Sequence, residues 1–277
     1  MKKSNVITVL AVLGYIAYNA IDDQVNKSSS YQANNSSSNS STSNTSSQRM
    51  HSTRANSKAY GLRSTENSWP LLDESSDDIA SNLLTTNYYI VMDGSGSMAD
   101  RQCSGGKTKL EAAKSALQAF AERIPNDANI GLYIFDSKGR SERVALGPNN
   151  KAQFADAVNA AKANRGTPLK SAITAGYQAL TQQASHQLGY GEYHLVVVTD
   201  GQPSGEQEDP GAMVRDVLID SPVIIHTIGF CIDDKHSLNQ PGFTYYKAAD
   251  NPEALRNGLD QVLAEAPDFN TDSFSNN

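Results

Sequence analysis

At 277 residues the chain has room for one ordinary domain and its appendages. A formal net charge of −7, with no segment where Lys and Arg cluster, argues against a nucleic-acid partner, which is held through a basic face. Hydrophobic residues make up 38% of the chain, and they concentrate in an amino-terminal run and in residues 87–266, so the stretch between cannot supply a core.

Lys2 and Lys3 precede an apolar run over residues 6–21, and Asp22 and Asp23 follow it. That order is expected of a terminus kept in the cytoplasm while the chain passes outward. As a helix the run reaches only about 24 Å, short of the roughly 30 Å hydrocarbon core. Residues 1–22 therefore read as a signal anchor or as a cleavable signal peptide. Tyr18 and Tyr15 stand three places before the best cut sites, after Ala20 and Ala17, where a small residue is wanted, and this favours the anchor. Residues 23–58, dominated by Ser and Asn, cannot bury enough apolar surface to offset their ordering entropy and are expected to form a disordered tether. Residues 59–86 read as a partly ordered lead-in. The expected protein crosses the membrane once and carries its carboxyl-terminal domain outside the cytoplasm, periplasmic or at the cell surface; secretion after signal cleavage is the alternative.

The domain, residues 87–266, opens on Tyr88-Tyr89-Ile90-Val91-Met92, an apolar strand that runs into Asp93-Gly94-Ser95-Gly96-Ser97. The glycines let this loop fold tightly enough for Asp93, Ser95 and Ser97 to turn their oxygens toward one point. One carboxylate and two hydroxyls are half of the roughly six-oxygen shell that a small hard cation such as Mg²⁺ takes. Leu110, Ala113, Leu117, Phe120, Ala121 and Ile124 then recur at helical spacing until Pro125. Residues 129–135 and 143–146 flank the turn at Asp136-Ser137-Lys138-Gly139 as a hairpin. The next helix spans residues 151–163. Pro168 suits the first position of a further helix reaching about Ala184, which makes Thr167 its cap and sets that use of the hydroxyl against any metal role.

Residues 193–199 repeat the opening grammar, an apolar strand running into Asp200-Gly201. In a parallel sheet, loops at the carboxyl ends of neighbouring strands converge, so Asp93 and Asp200 are expected to face each other. A short helix at 212–219, strands at 223–230 and around Tyr245 and Tyr246, and a closing helix over 252–265 complete the domain, leaving a polar tail at 267–277. This order predicts an α/β, Rossmann-like three-layer sandwich with a mostly parallel central sheet, one antiparallel edge strand and helices on both faces.

Asp93-Gly94-Ser95-Gly96-Ser97, Gly166-Thr167-Pro168-Leu169 and Val198-Thr199-Asp200-Gly201, in that order, resemble the von Willebrand factor type A domain family, in which three such segments form the metal-ion-dependent adhesion site. The resemblance implies that Ser95 and Ser97 ligate an ion directly, that Thr167 does so in the ligand-bound arrangement, and that Asp93 and Asp200 act largely through waters. Mg²⁺ is the implied ion, with Mn²⁺ or Ca²⁺ as alternatives. An Asp or Glu carboxylate from a protein partner is implied at the open coordination position. Arg165 stands where the family often has glycine.

Residues flanking the converging loops make a candidate rim: Met98, Asp100, Arg101, Arg165, Gln202, Ser204 and Phe230. Cys103 and Cys231 fall in loops expected at the same end of the sheet, where outside the cytoplasm a disulfide is favoured over two free thiols. The expected function is a binding module for adhesion or assembly, not an enzyme. A constitutive scaffold subunit of a membrane complex, with a structural ion, is the alternative. A metal-dependent hydrolase is less favoured, because the hydroxyls are committed as ligands and only Asp100 and Glu206 are spare carboxylates nearby.

Overall fold

The computed structural model describes residues 69–70, 78–232 and 234–264. The expected membrane segment at 1–22, the tether at 23–58, much of the lead-in at 59–86 and the tail at 267–277 lie outside the described residues. Among the described residues no helix is long and apolar enough to cross a membrane.

The chain runs β1 (Thr86–Asp93), α1 (Lys109–Arg123), β2 (Asn129–Asp136), β3 (Gly139–Gly147), α2 (Lys151–Ala160), α3 (Leu169–His186), β4 (Glu192–Thr199), α4 (Gly211–Asp220), β5 (Ile224–Phe230), β6 (Tyr245–Ala249) and α5 (Pro252–Ala264). Its one sheet has the order β3-β2-β1-β4-β5-β6. β3 pairs antiparallel with β2 at one edge, and every other neighbouring pair is parallel. This is the α/β sandwich that the order of elements predicts.

β1 has no polar face because both of its faces are covered. Tyr88, Ile90 and Met92 pack with Leu117 and Phe120 of α1, Phe154 of α2 and Leu255 and Leu259 of α5. Tyr89 and Val91, alternating with them, pack with Leu169 and Ile173 of α3 and Val214 of α4. On the first of these faces Tyr88, His194, His226 and Tyr245 stack ring on ring across β1, β4, β5 and β6, with successive centroids 4.9, 5.4 and 5.3 Å apart.

Local chemistry sets the helix ends. α1 starts at a reciprocal cap in which the Glu111 amide donates to Thr108 Oγ1 and the Thr108 amide donates to Glu111 Oε2. α2 stops at Ala160, earlier than its apolar period suggests. Beyond it the Lys162 amide donates to Asp136 Oδ2, the Lys162 carbonyl accepts from Ser137, and the Asn164 amide donates to the Gly94 carbonyl. A longer helix would forfeit these bonds, which lash the segment to the ends of β1 and β2.

From β1 the chain first moves outward to β2 and β3, then returns to place β4 on the other side of β1. Strand order reverses there. The loops leaving the carboxyl ends of β1 and β4 part in opposite directions, and the crevice between them is where an open α/β sheet receives ligands.

Candidate functional site

Asp93 ends β1 and is fully buried. Its Oδ1 accepts from the Ser95 amide at 2.7 Å and its Oδ2 from Thr199 Oγ1 at 2.6 Å. Ser95 Oγ lies 3.1 Å from Ser97 Oγ, and Ser97 Oγ donates to Asp200 Oδ1 at 2.8 Å. Thr167 closes the group: a Cβ built on Gly201 would lie 3.8 Å from Ser97 Oγ and 3.9 Å from Thr167 Oγ1. The fold thus gathers Asp93, Ser95, Ser97, Thr167 and Asp200 at the β1/β4 crevice. The loop is fixed from below, its Gly94 amide donating to the Phe135 carbonyl and its Gly96 amide to the Arg165 carbonyl. Gly94 is required by space as well, since an added Cβ would stand 2.8 Å from Asp136 Cβ.

Thr167 is not the helix cap that its position before Pro168 suggests. Pro168 itself occupies the cap position of α3, without a side-chain bond. The Thr167 amide donates to Ser204 Oγ at 2.7 Å and its carbonyl accepts from the Ser204 amide at 3.0 Å, so the backbone is held by the β4 loop and the hydroxyl is not spent on capping.

Two of the rim assignments need correction. Met98 and Phe230 are both 0% exposed and belong to the core shared with α1 and α5. Met98 sits on a 3-10 turn, Gly96–Ala99, that directs it beneath the loop, and Phe230 is still within β5; withdrawing such side chains from water is favoured by about 1.5–3 kcal/mol each. Asp100, Arg101, Arg165, Gln202 and Ser204 are exposed. Arg165 adopts φ 71°, the left-handed conformation that glycine takes more easily. Beside Thr167 a cleft of about 230 Å³ is lined by Phe135, Gly139, Arg140, Arg165, Pro168 and Ser204.

Cys103 and Cys231 form a disulfide, joining the loop after Ser97 to the end of β5 with a Cα separation of 5.9 Å. Within that loop Arg101 Nη1 donates to the Gly106 carbonyl and the Lys109 amide to the Asp100 carbonyl.

Sequence reasoning missed two residues. Thr199 looks like ordinary strand, yet it holds Asp93. Lys109, at the start of α1, looks like a solvated helix residue, yet its Nζ donates to Asp200 Oδ2 at 2.9 Å, with the two side chains 6% and 0% exposed. The available signal was position: a lysine in the first helical turn opposes the helix dipole unless an anion compensates it.

Burial pushes the Asp93 carboxyl up to about 6; hydrogen bonds from Ser95 and Thr199 pull it down and the nearby Asp200 charge pushes it up. Two carboxylates this close call for positive charge. The set of two carboxylates and three hydroxyls is all oxygen, and a cationic group, the Lys109 ammonium, already stands on it. The oxygen separations of 2.8 and 3.1 Å suit the edge of an octahedron with bonds of about 2.1 Å, which is about 3.0 Å. A hard divalent ion fits this donor set. Among the described residues no three or more His, Cys, Asp or Glu side chains gather into a metal site, so hydroxyls would have to complete any shell here.

Residues 88–202 match the family model of the von Willebrand factor type A domain. The uncharacterized protein YwmD of Bacillus subtilis is 27% identical over 165 residues, covering 54% of this chain and 70% of that protein. The uncharacterized protein sll0103 of Synechocystis is 26% identical over 147 residues, 53% of this chain but only 32% of its own length. Among solved structures, the pilus adhesin SpaC of Lactobacillus rhamnosus GG superposes with a TM-score of 0.54 at 17% identity, covering 68% of this chain and 31% of that one. The chain thus spans about a third of both the cyanobacterial relative and the adhesin.

Proposed function

We propose that this chain, whose residues 88–202 match the family model of the von Willebrand factor type A domain, is an extracytoplasmic, membrane-tethered binding module that captures a protein partner's Asp or Glu carboxylate through a bound divalent cation. The observation that carries the reading is the convergence of Asp93, Ser95, Ser97, Thr167 and Asp200 on one crevice. Mg²⁺, with Mn²⁺ or Ca²⁺ as alternatives, supplies a Lewis-acidic point to which a carboxylate can bind. Ser95, Ser97 and Thr167 present neutral oxygens to it, so its direct ligands leave it electrophilic toward the incoming anion. Asp93 and Asp200 retain it, Asp93 being oriented by Thr199. Arg165, exposed at the edge of the adjoining cleft, gives an acidic partner a second point of attraction.

The location outside the cytoplasm is supported by the amino-terminal charge order and by the disulfide, since such bridges persist in oxidising compartments. Similarity to a pilus adhesin is in keeping with binding rather than catalysis. One observation favours the second reading, a scaffold built permanently into a membrane complex: Lys109 already neutralises Asp200. The test is calorimetric titration of Mg²⁺ into the full chain and into its Asp93→Ala and Thr167→Ala variants. Saturable binding that is abolished in the first and weakened in the second is expected. Absence of binding to the folded wild type would overturn the cation-dependent reading.

A further inference from the structure

We infer that Lys109 is a built-in competitor for the cation, whose ammonium is displaced from Asp200 when a divalent ion binds. The inference rests on the proposed cation site. Lysine is among the residues least often buried, and Lys109 is 5% exposed. It also stands at the first position of α1, where the helix dipole disfavours a positive charge. Both penalties are met only by its partner. Asp200 in turn has both oxygens engaged, Oδ1 accepting from Ser97 and Oδ2 from Lys109, so an ion drawn to this carboxylate meets the positive charge of the ammonium at close range. The Ser97 hydroxyl can keep its proton on Asp200 and turn a lone pair of its oxygen toward an ion, so it need not move. Ion binding is therefore an exchange, in which a monovalent tethered cation withdraws as a divalent cation arrives.

The arrangement has a further effect on the partner. With Lys109 retained nearby, the charges of Asp93, Asp200, Lys109 and a divalent ion sum to +1; without it they sum to zero. A partner carboxylate is attracted to the first combination and gains less from the second. Lys109 thus weakens the bare ion and strengthens its capture of an anion, and by linkage the carboxylate raises the affinity for the ion. Metal and partner are expected to bind together.

The experiment is Mg²⁺ titration of the full-length wild type, Lys109→Met and the double variant Asp93→Ala/Lys109→Met. The expected result is Mg²⁺ binding at least tenfold tighter in Lys109→Met, abolished in the double variant. Equal affinity in wild type and a folded Lys109→Met would overturn the competition while leaving the cation site standing. Failure of both to bind would overturn the cation site and the competition together. Should Lys109→Met not fold, lysine side-chain ¹⁵N NMR of the wild type decides: saturating Mg²⁺ is expected to move the Lys109 ammonium resonance, and an unmoved resonance at saturation would overturn the exchange.

Discussion

Thr199 hands its hydroxyl proton to Oδ2 of Asp93 across 2.6 Å, so β1 and β4 are joined beneath the crevice by a bond between side chains of the two motif strands. The same Oγ1 accepts from the Gly201 amide at 3.3 Å, which couples the orientation of Asp93 to the turn carrying Asp200. Replacing Thr199 by Val keeps the shape of the strand and removes the donor. A hydrogen bond to a buried charged group is worth about 1.5–3 kcal/mol, and that loss is expected in urea denaturation. Mg²⁺ affinity should fall in the same variant, read by calorimetry.

Gly166 offers a sharper steric test. A Cβ there would lie 2.6 Å from Ser204 Oγ, the atom that accepts the Thr167 amide proton. Gly166→Ala must move Ser204 and with it Thr167. Turning this exposed hydroxyl aside is cheap in space, so the cost is the acceptor lost to the Thr167 amide, about 1–3 kcal/mol for a donor left unpaired. Mg²⁺ titration should show weaker binding, and Gly166→Ala/Ser204→Gly, which frees the space but also lacks the acceptor, should do no better.

The bridge between Cys103 and Cys231 closes a loop with a sequence separation of 128. Constraint of the unfolded chain by such a loop is worth about 4–5 kcal/mol in the chain-entropy account. The double variant Cys103→Ser/Cys231→Ser is expected to lose several kcal/mol, measured as a lower urea midpoint. A reductant should lower the wild-type midpoint toward that of the variant and leave the variant where it is.

Acid should weaken the fold through its stacked histidines. Burial pulls His194 down to about 4, and burial together with the neighbouring His194 pulls His226 down to about 3. An unfolded imidazole titrates near 6.5. Below that pH the unfolded chain takes up protons that the folded stack refuses, so stability falls as pH drops from about 6.5 toward 4; above 6.5 this source gives no slope. Asp93 acts the other way, because its folded value of about 6 exceeds the ordinary 3.8. At pH 5 the two imidazoles outweigh it, at about 2 kcal/mol each against about 1 kcal/mol for the carboxyl. The urea midpoint should therefore be level between pH 7 and 8 and lower at pH 5; an unchanged midpoint at pH 5 would mean that the stack admits a proton.

Much of this was legible in the chain because it depends on periodicity. Apolar runs ending in Asp93 and Asp200 disclosed two buried parallel strands, and the turn at Asp136-Ser137-Lys138-Gly139 disclosed the antiparallel edge. The pairing of Cys103 with Cys231 followed from their loops. What escaped depends on the third dimension. Met98 and Phe230 flank the motif loops in sequence but turn inward, because a short turn and a strand end decide direction and proximity in the chain does not. Thr167 was open to two uses until its backbone was seen bonded to Ser204. Lys109 shows in a linear reading only as a misplaced charge in the first turn of α1, and its partner, 91 residues away, does not show at all.

β1 joins the sheet at Thr86 and delivers Asp93 at its far end, with β2 on one side and β4 on the other. A pull between the chain preceding Thr86 and an object gripped at Asp93 therefore runs along the axis of one central strand. Such a force is carried by the covalent backbone of β1 itself and does not load the parallel ladders that flank it, from Asn87 to Asp93 on the β2 side and from Thr86 to Met92 on the β4 side. The strand acts as a tie rod through the sheet, and single-molecule stretching between those two points should leave the domain folded at forces that unfold it when applied through the edge strand β3.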